Sequence, residues 1–342
     1  MFPAKRRAEG ALDVPDQREG SGRGGLPPLA PMRCLVIGGA GFIGAAACRE
    51  LMRRGVETVA AGRTPRPYGI FTSHVAFDRS DREQLAGALR SVRPDVVLDL
   101  AAHQPSEVTA AVELFEGGRY VFVSTGVYPD LHGQAAREED FVPLDGDMPG
   151  EPLEYREGKR WCETVLARSS GVPWAVVRPP AVFGADDHTL RVAAYLQRLD
   201  DGGPLLVPEE SYERQAGLAW VRDVGFACAL ACDLRRDVVG PYNVAFEGVS
   251  LRRLLEAAGR ALGRPVRLVP LPYAALPEGA SPYGPDPRRS AGYDLARIRE
   301  LGFAPGALED ALAETLAWYL VRRPSHPGYA SRPKELELAA GL

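Results

Sequence analysis

The chain has 342 residues, of which 45% are hydrophobic and 25% are charged, a composition typical of folded globular proteins. This length predicts one globular unit with a smaller lobe and excludes disorder or coiled coil as the main architecture. The net charge of −4, with arginines scattered among acidic residues, argues against nucleic acid as a partner, because phosphate backbones are bound by basic surfaces.

Residues 1–31 are rich in glycine, proline and charge, so we predict a disordered N-terminal extension. Met32 lies directly before the first apolar run and is an alternative start to Met1. From there, short apolar runs alternate with amphipathic stretches, a pattern typical of βαβ units around a parallel sheet. The predicted strands are 33–38, 56–62, 74–78, 96–102, 119–125 and 172–179, and the predicted helices are 43–54, 81–92, 108–115 and 155–169.

The regular alternation of apolar runs and amphipathic stretches ends after residue 180. Beyond it, helices are predicted near 190–199 and at 220–234, 251–262 and 307–321, with a strand at 242–246. The fold class is therefore α/β: a Rossmann-type, doubly wound parallel sheet with a smaller C-terminal substrate-binding lobe. We assign the sheet domain to 32–184 together with 220–247, and the lobe to 185–219 and 248–342.

The five cysteines lie in apolar surroundings, without the spacing of a zinc site, so we predict buried, reduced thiols and no metal site. No apolar run approaches the ~18 residues of a membrane span, and the N-terminus lacks the apolar core of a secretion signal. A cytoplasmic protein without membrane contact is expected. The cysteines are Cys34, Cys48, Cys162, Cys228 and Cys232.

The sequence VIGGAGFIG lies between the first predicted strand and the first predicted helix. Its glycines Gly38, Gly41 and Gly44 permit a tight turn and let the backbone approach a pyrophosphate at the helix N-terminus. A structural turn without ligand is the alternative. The position between strand and helix favours a dinucleotide site that includes Phe42 and Ile43.

Dinucleotide sites select NAD or NADP at the end of the second strand, where an acid binds the ribose 2′-hydroxyl or an arginine accepts a 2′-phosphate. No acid occurs there, and Glu57 comes too early. Arg63, with Arg66 nearby, suits a phosphate, so NADP is predicted over NAD, with a solvated turn arginine as the alternative. Asp78, after the third strand, is predicted to accept a hydrogen bond from the adenine amino group.

Tyr155 and Lys159 are four residues apart and share one face of a predicted helix. An ammonium near a phenol favours the phenolate and lowers its pKa, which makes the tyrosine an acid or base near neutral pH. A surface pair is the alternative for such a common spacing. Ser124 and Thr125 end the fifth strand, at the sheet edge where a nicotinamide would lie.

Together these motifs resemble the extended branch of the short-chain dehydrogenase/reductase superfamily, the NAD-dependent epimerases, dehydratases and reductases. The resemblance runs from Arg33 to about Tyr319. The motifs that carry it, in chain order, are GGAGFIG, DLAAH, FVSTGVY, YREGK, VVRPPAVFG, WVRDV and YNVA.

The resemblance implies that Tyr155 exchanges a proton with the substrate oxygen, while Lys159 binds the nicotinamide ribose and keeps Tyr155 acidic. It implies that Ser124 or Thr125 hydrogen-bonds the same oxygen. Counting along the fifth strand favours Thr125, whereas counting back from the following Val-Tyr pair favours Ser124. Ala101, in DLAAH, is an implied cofactor contact. The family also often forms homodimers through the helices that include the Tyr155 helix.

Two departures from the family pattern refine the reaction. Gly126 and Val127 stand where dehydratases carry an Asp-Glu pair, so dehydration is disfavoured. The missing acid after the second strand suits an exchangeable NADP and therefore a net reductase. Arg191, Arg198 and Arg222 are candidates for a substrate diphosphate, with solvated helix faces as the alternative.

We therefore predict an NAD(P)-dependent oxidoreductase that acts on a carbonyl or secondary alcohol of a small molecule, either a sugar nucleotide or a specialised metabolite. An NAD(P)-dependent sugar-nucleotide epimerase is the alternative. A non-catalytic dinucleotide sensor or RNA-associated protein is a third hypothesis. The Tyr155 and Lys159 pair argues against the sensor, and the negative net charge argues against RNA.

Overall fold

The computed structural model describes residues 32–64, 70–131, 134–281 and 292–342. The predicted disordered extension at 1–31 lies outside these residues. None of the helices in the described part of the chain has the length and apolar character that a bilayer span requires.

The central element is a parallel sheet of seven strands, and four further strands form two short parallel pairs. Numbered in chain order, the strands are β1 (Arg33–Ile37), β2 (Glu57–Ala61), β3 (Ser73–Val75), β4 (Val96–Asp99), β5 (Arg119–Val123), β6 (Trp174–Arg178), β7 (Ala181–Phe183), β8 (Leu205–Pro208), β9 (Leu218–Trp220), β10 (Gly240–Asn243) and β11 (Leu268–Leu271). The order in the large sheet is β10-β6-β5-β4-β1-β2-β3. The chain thus winds outwards in both directions from β1, and a crevice forms at the carboxyl ends of β1 and β4.

The helices, in the same order, are α1 (Phe42–Arg53), α2 (Arg82–Val92), α3 (Pro105–Leu114), α4 (Tyr155–Arg168), α5 (Arg191–Asp200), α6 (Val221–Ala231), α7 (Leu251–Leu262), α8 (Ala296–Glu300), α9 (Leu308–Arg322) and α10 (Arg332–Ala340). Helices α1 and α6 cover one face of the sheet, and α2, α3 and α4 cover the other.

Both faces of β1 are buried, which explains why this strand reads as a continuous apolar run. Cys34 and Val36 point into the core beneath α1 and α6, whereas Leu35 and Ile37 point into the core beneath α2, α3 and α4. All five cysteines are buried and free, as predicted.

A second core joins α5, α7 and α9 with the short strand pairs. In these pairs β8 lies beside β11 and β7 lies beside β9. The C-terminal α10 is attached to α5 by a buried ion pair in which Arg198 Nη2 lies 2.7 Å from Glu335 Oε1. Residues from α8 and its flanks, including Ile298 and Phe303, instead pack into the core of the large sheet.

The predicted fold class is confirmed, and α7 has the predicted bounds. The strands β7, β8, β9 and β11 and the helices α8 and α10 were not predicted. Each of these strands has three or four residues and pairs with a segment distant in the chain, so no local apolar period marks it. The sequence of α10 is polar, and its buried Glu335 is held by the ion pair with Arg198.

The loop between β1 and α1 generates a stability prediction. A Cβ added to Gly44 would lie 2.1 Å from the carbonyl oxygen of Gly38 and 2.8 Å from Cα of Gly39, and neither backbone atom has room to move. Gly44→Ala should therefore lower the free energy of unfolding by about 2 kcal/mol or more, measured by urea denaturation.

Gly87, inside α2, is the matched control because a Cβ there would meet no atom within 4 Å. Gly87→Ala should raise the free energy of unfolding by about 0.5–1 kcal/mol, since alanine restricts the unfolded chain and favours helix. Equal effects of the two substitutions would contradict the packing described for Gly44.

Candidate active site

The glycine loop closes tightly around the first turn of α1. Gly38 has a φ of +83°, which favours glycine, and its amide donates to Ala61 O at 2.8 Å. Gly44 packs closely against the Gly38 carbonyl, so the N-terminus of α1 lies against the loop. Phe42 and Ile43 form the first turn and are both half-buried. The cradle that only glycines can form fits a dinucleotide pyrophosphate at the helix N-terminus.

The turn after β4 borders this loop. A Cβ at Gly38 would lie 3.6 Å from Cβ of Ala101, so Ala101 lies beside the glycine loop, as a cofactor contact requires. The turn is held by Asp99, whose Oδ1 accepts from the amides of Ala101 and Ala102 at 3.0 Å each.

Asp99 is completely buried and is also bonded by Arg79 Nη2 at 2.7 Å and by the Tyr120 hydroxyl at 2.9 Å. Burial favours the neutral carboxyl, but the charge of Arg79 and these hydrogen bonds outweigh it and lower the pKa of Asp99. Sequence analysis missed this group. Its only signal was an acid inside the apolar run VVLDL.

The end of β2 carries the predicted NADP determinant. Arg63 is exposed two residues after β2, and Asp78 follows β3, the neighbouring strand. Hydrogen bonds from Ser80 lower the pKa of Asp78, and the charge of Arg63 acts in the same direction. The side chains of Arg63 and Asp78 therefore lie near one another. Arg66 falls outside the described residues.

The hydroxyl candidates differ in their contacts. The Thr125 side chain lies near the Tyr155 phenol, between β5 and α4, and acts to lower its pKa. Ser124 Oγ is buried and has no hydrogen-bond partner among the described residues. The structure thus brings Thr125, and not Ser124, to Tyr155.

Tyr155 begins α4 and 56% of its surface is exposed, so its ring is accessible from solvent. Neighbouring protein atoms desolvate the phenol and raise its pKa, while the charge of Arg191 and the Thr125 hydrogen bond partly offset this effect. The phenol is therefore protonated at neutral pH.

Lys159 lies one turn further along α4 and is 2% exposed. Its Nζ donates to Val123 O at 2.7 Å and lies 4.5 Å from the centre of the Phe122 ring and 5.7 Å from that of Tyr155. Burial lowers the pKa of Lys159 to about 8. The ammonium is directed to the strand carbonyl, and the effect of Lys159 on the pKa of Tyr155 stays a prediction.

Gly158, between these two residues, lets α4 approach the sheet edge. A Cβ at this position would lie 2.0 Å from the carbonyl oxygen of His103, which follows β4. The sequence YREGK already places this glycine inside a predicted helix. A glycine there lowers helix stability by about 1 kcal/mol relative to alanine, which indicates a packing requirement.

The arginines proposed for a substrate diphosphate have different surroundings. Arg198 is buried in its pair with Glu335, so it does not meet a ligand. Arg222 forms an ion pair with Glu314 of α9 at 2.6 Å, and the neighbouring Asp223 accepts from Gly306 N at 2.9 Å. Of the three, Arg191 is the one whose charge acts on the Tyr155 phenol, where it opposes the rise in the pKa.

Residues 34–116 match the model of the NAD dependent epimerase/dehydratase family. The matched segment contains the glycine loop, Arg63, Asp78 and the turn with Ala101. The resemblance inferred from the sequence motifs is thereby confirmed. Because the family consists of NAD-dependent enzymes, the prediction of an NAD(P)-dependent enzyme is confirmed at the level of the family.

Three curated relatives match over longer segments. The chloroplast stem-loop binding protein of 41 kDa b from Arabidopsis thaliana is 26% identical over 251 residues, which are 68% of this chain and 64% of that protein. A 2'-dehydrokanamycin reductase from Streptomyces kanamyceticus is 28% identical, with 72% of this chain and 71% of the relative covered. A dTDP-4-dehydro-6-deoxy-D-allose reductase from Streptomyces sp is 28% identical, with 84% and 96% covered.

Solved structures share the fold. A UDP-glucose 4-epimerase from Thermus thermophilus, solved with NAD, has a TM-score of 0.62 and 24% identity, with 85% of this chain and 100% of that chain covered. A UDP-glucose 4-epimerase from Thermotoga maritima, solved with UDP-glucose, has a TM-score of 0.65 and 20% identity, with 86% and 100% covered. At these identities the likeness establishes the architecture alone.

The buried ammonium of Lys159 generates a prediction on stability. Its pKa falls from 10.5 in a free lysine to about 8 in the folded protein. Between these values the unfolded chain binds more protons than the folded one, so the contribution of Lys159 to stability rises with pH. The stability of the native protein relative to Lys159→Met should increase by on the order of 2–3 kcal/mol between pH 7 and pH 10.

Urea denaturation of both proteins without dinucleotide, across this pH range, measures the difference. Lys334→Met, at an exposed position of α10, is the control and should differ from the native protein by the same amount at every pH. A Lys159→Met difference that is constant, or that shrinks as the pH rises, would contradict the burial of a charged ammonium.

Proposed function

We propose that this chain, whose residues 34–116 match the NAD dependent epimerase/dehydratase family, is an NADP-dependent reductase of a carbonyl group on a sugar nucleotide or a specialised metabolite. The observation that carries the proposal is the packing of α4 against the end of β5, where Lys159 Nζ donates to Val123 O at 2.7 Å and Thr125 lies near the Tyr155 phenol. In this proposal the dinucleotide lies along 32–184, with 220–247 completing that domain, and the substrate contacts 185–219 and 248–342.

Tyr155 acts as the proton donor in the proposed reaction. When bound, the dinucleotide supplies the hydride that forms the new C–H bond. The carbonyl oxygen takes the phenolic proton as its double bond to carbon is lost, and the product is a secondary alcohol. Desolvation raises the pKa of Tyr155 and keeps the phenol protonated at neutral pH, which suits reduction.

Thr125 orients this phenol and donates a hydrogen bond to the phenolate as it forms, which makes it our choice over Ser124 for the second hydroxyl. The unpartnered Ser124 Oγ remains available to the substrate or the dinucleotide. Lys159, held by Val123 O, is placed to bind the nicotinamide ribose from the sheet side.

The remaining cofactor contacts follow the glycine loop. Gly38, Gly41 and Gly44 approach the pyrophosphate, while Phe42, Ile43 and Ala101 line its surroundings. The geometry of the cradle supports these contacts. Arg63 donates hydrogen bonds to the 2′-phosphate of NADP, and Asp78 accepts one from the adenine amino group.

Two relatives favour a reductase. The names of both Streptomyces proteins describe reduction of a dehydro sugar, one linked to a nucleotide and one in kanamycin. The epimerase alternative uses the same residues, and it is distinguished by the absence of net dinucleotide consumption. The stem-loop binding relative favours the RNA-associated alternative, against which the net charge of −4 argues.

The cofactor assignment predicts that NADPH binds at least about tenfold more tightly than NADH, since a charge-assisted hydrogen bond is worth about 1.5–3 kcal/mol. Fluorescence titration of the protein with each dinucleotide measures this ratio. Arg63→Gln should abolish the preference, whereas Arg90→Gln, an exposed arginine of α2, should preserve it. Tighter binding of NADH by the native protein would overturn the assignment.

The catalytic assignment predicts that Tyr155→Phe lowers kcat by about 10²–10⁴-fold, the usual contribution of a general acid, with the Kd of NADPH unchanged. Thr125→Val should cost more activity than Ser124→Ala. NADPH oxidation is followed with a panel of dehydro sugars, both free and nucleotide-linked.

Three results would separate the alternatives. Full turnover by Tyr155→Phe would exclude the proposed mechanism. Product epimerisation without net NADPH consumption would identify an epimerase. Retention of a stem-loop RNA in a gel-shift assay, with no NADPH binding, would support the RNA-associated function.

A further inference from the structure

Arg156, directly after Tyr155, connects the first turn of α4 to the loop that follows β5. Its Nε donates to the carbonyl of Gly126 at 3.1 Å, and its Nη2 donates to the carbonyl of Tyr128. The side chain is half-buried, so these bonds are partly shielded from water. The rigid fork of the guanidinium fits two carbonyls separated by one residue.

The same loop is confined on its other side by Tyr293. A Cβ added to Gly126 would lie 2.5 Å from the Tyr293 hydroxyl oxygen, so any side chain there would displace that hydroxyl. The Tyr293 ring also packs edge-on against Tyr128, with 5.8 Å between the ring centres. Burial raises the pKa of Tyr293 to about 12, and the charges of Arg156 and Arg178 oppose that rise.

The segment that carries Tyr293 is itself fixed to the sheet domain. Its backbone bridges Ala136, and Asn243 Nδ2 at the end of β10 donates to Asp294 O at 3.2 Å. The loop after β5 is therefore enclosed between Arg156 on α4 and a tyrosine that is anchored independently of α4.

We propose that Arg156 is a positioning residue for the Thr125–Tyr155 pair. Thr125 precedes Gly126 in the chain, and Tyr155 precedes Arg156, so the bond from Arg156 to Gly126 joins the two residues adjacent to the reacting hydroxyls. The two bonds from Arg156, to the carbonyls of Gly126 and Tyr128, hold this loop to the first turn of α4. The inference rests on the function proposed above for this pair.

The test uses a readout that needs no substrate. The phenolate of Tyr155 is titrated by its absorbance near 295 nm, as the difference between a protein with Tyr155 and the same protein with Tyr155→Phe. Arg156→Gln should raise the pKa of Tyr155 by roughly one unit, because the displaced Thr125 hydroxyl no longer stabilises the phenolate. It should also lower kcat with the dehydro-sugar panel by about 10–100-fold, with the Kd of NADPH unchanged.

Arg156→Lys provides the conservative variant, and should recover part of the loss because an ammonium reaches one carbonyl without the planar fork. Arg160→Gln is the matched control: it lies one turn further along α4, over the Phe141 ring, and should leave both the titration and kcat unchanged. If Arg156→Gln does not fold, Arg156→Lys carries the same comparison.

An unchanged titration and unchanged kcat in both Arg156 variants would overturn the inference. If Tyr155→Phe abolishes turnover while the Arg156 variants are fully active, only the positioning role fails. If Tyr155→Phe is fully active, the proposed reaction fails, and the titration still reports whether Arg156 positions Tyr155.

Discussion

The candidate active site depends on one buried bond, from the Lys159 ammonium to the carbonyl of Val123. It attaches α4 to the carboxyl end of β5, which places Tyr155 opposite Thr125. Burying this charge is unfavourable, as the lowered pKa of Lys159 records, and the carbonyl and the Phe122 ring compensate in part. Gly158 permits the close approach that the bond requires. The helix of Tyr155 is thus held at two points on the sheet edge.

The tyrosine and lysine of this helix have separate environments. Tyr155 is exposed to solvent, whereas Lys159 is buried against the strand. The charge that opposes the rise in the pKa of Tyr155 comes from Arg191 of α5. The pKa of the phenol therefore depends on residues from both parts of the fold.

Ion pairs at the other arginines serve the architecture. The pair of Arg198 and Glu335 attaches α10 to α5, and the pair of Arg178 and Glu163 joins β6 to α4 at 2.5 Å. Removing one partner of such a buried pair leaves an uncompensated charge, which is strongly destabilising. Of the three arginines that the sequence offers as ligand contacts, Arg198 and Arg222 are instead paired with acidic residues of other helices.

The sheet, the glycine loop and the residues at the strand ends could be predicted from the sequence, because apolar periodicity and glycine spacing are local properties of the chain. The sequence also placed Tyr155 and Lys159 on one helical face. Three features could be seen only in the folded chain. Thr125 lies near Tyr155, and Lys159 donates to Val123 O. Arg156 and Tyr293 lie on either side of Gly126. These contacts join residues distant in the chain, and their geometry depends on how α4 packs against the sheet, which no local pattern encodes.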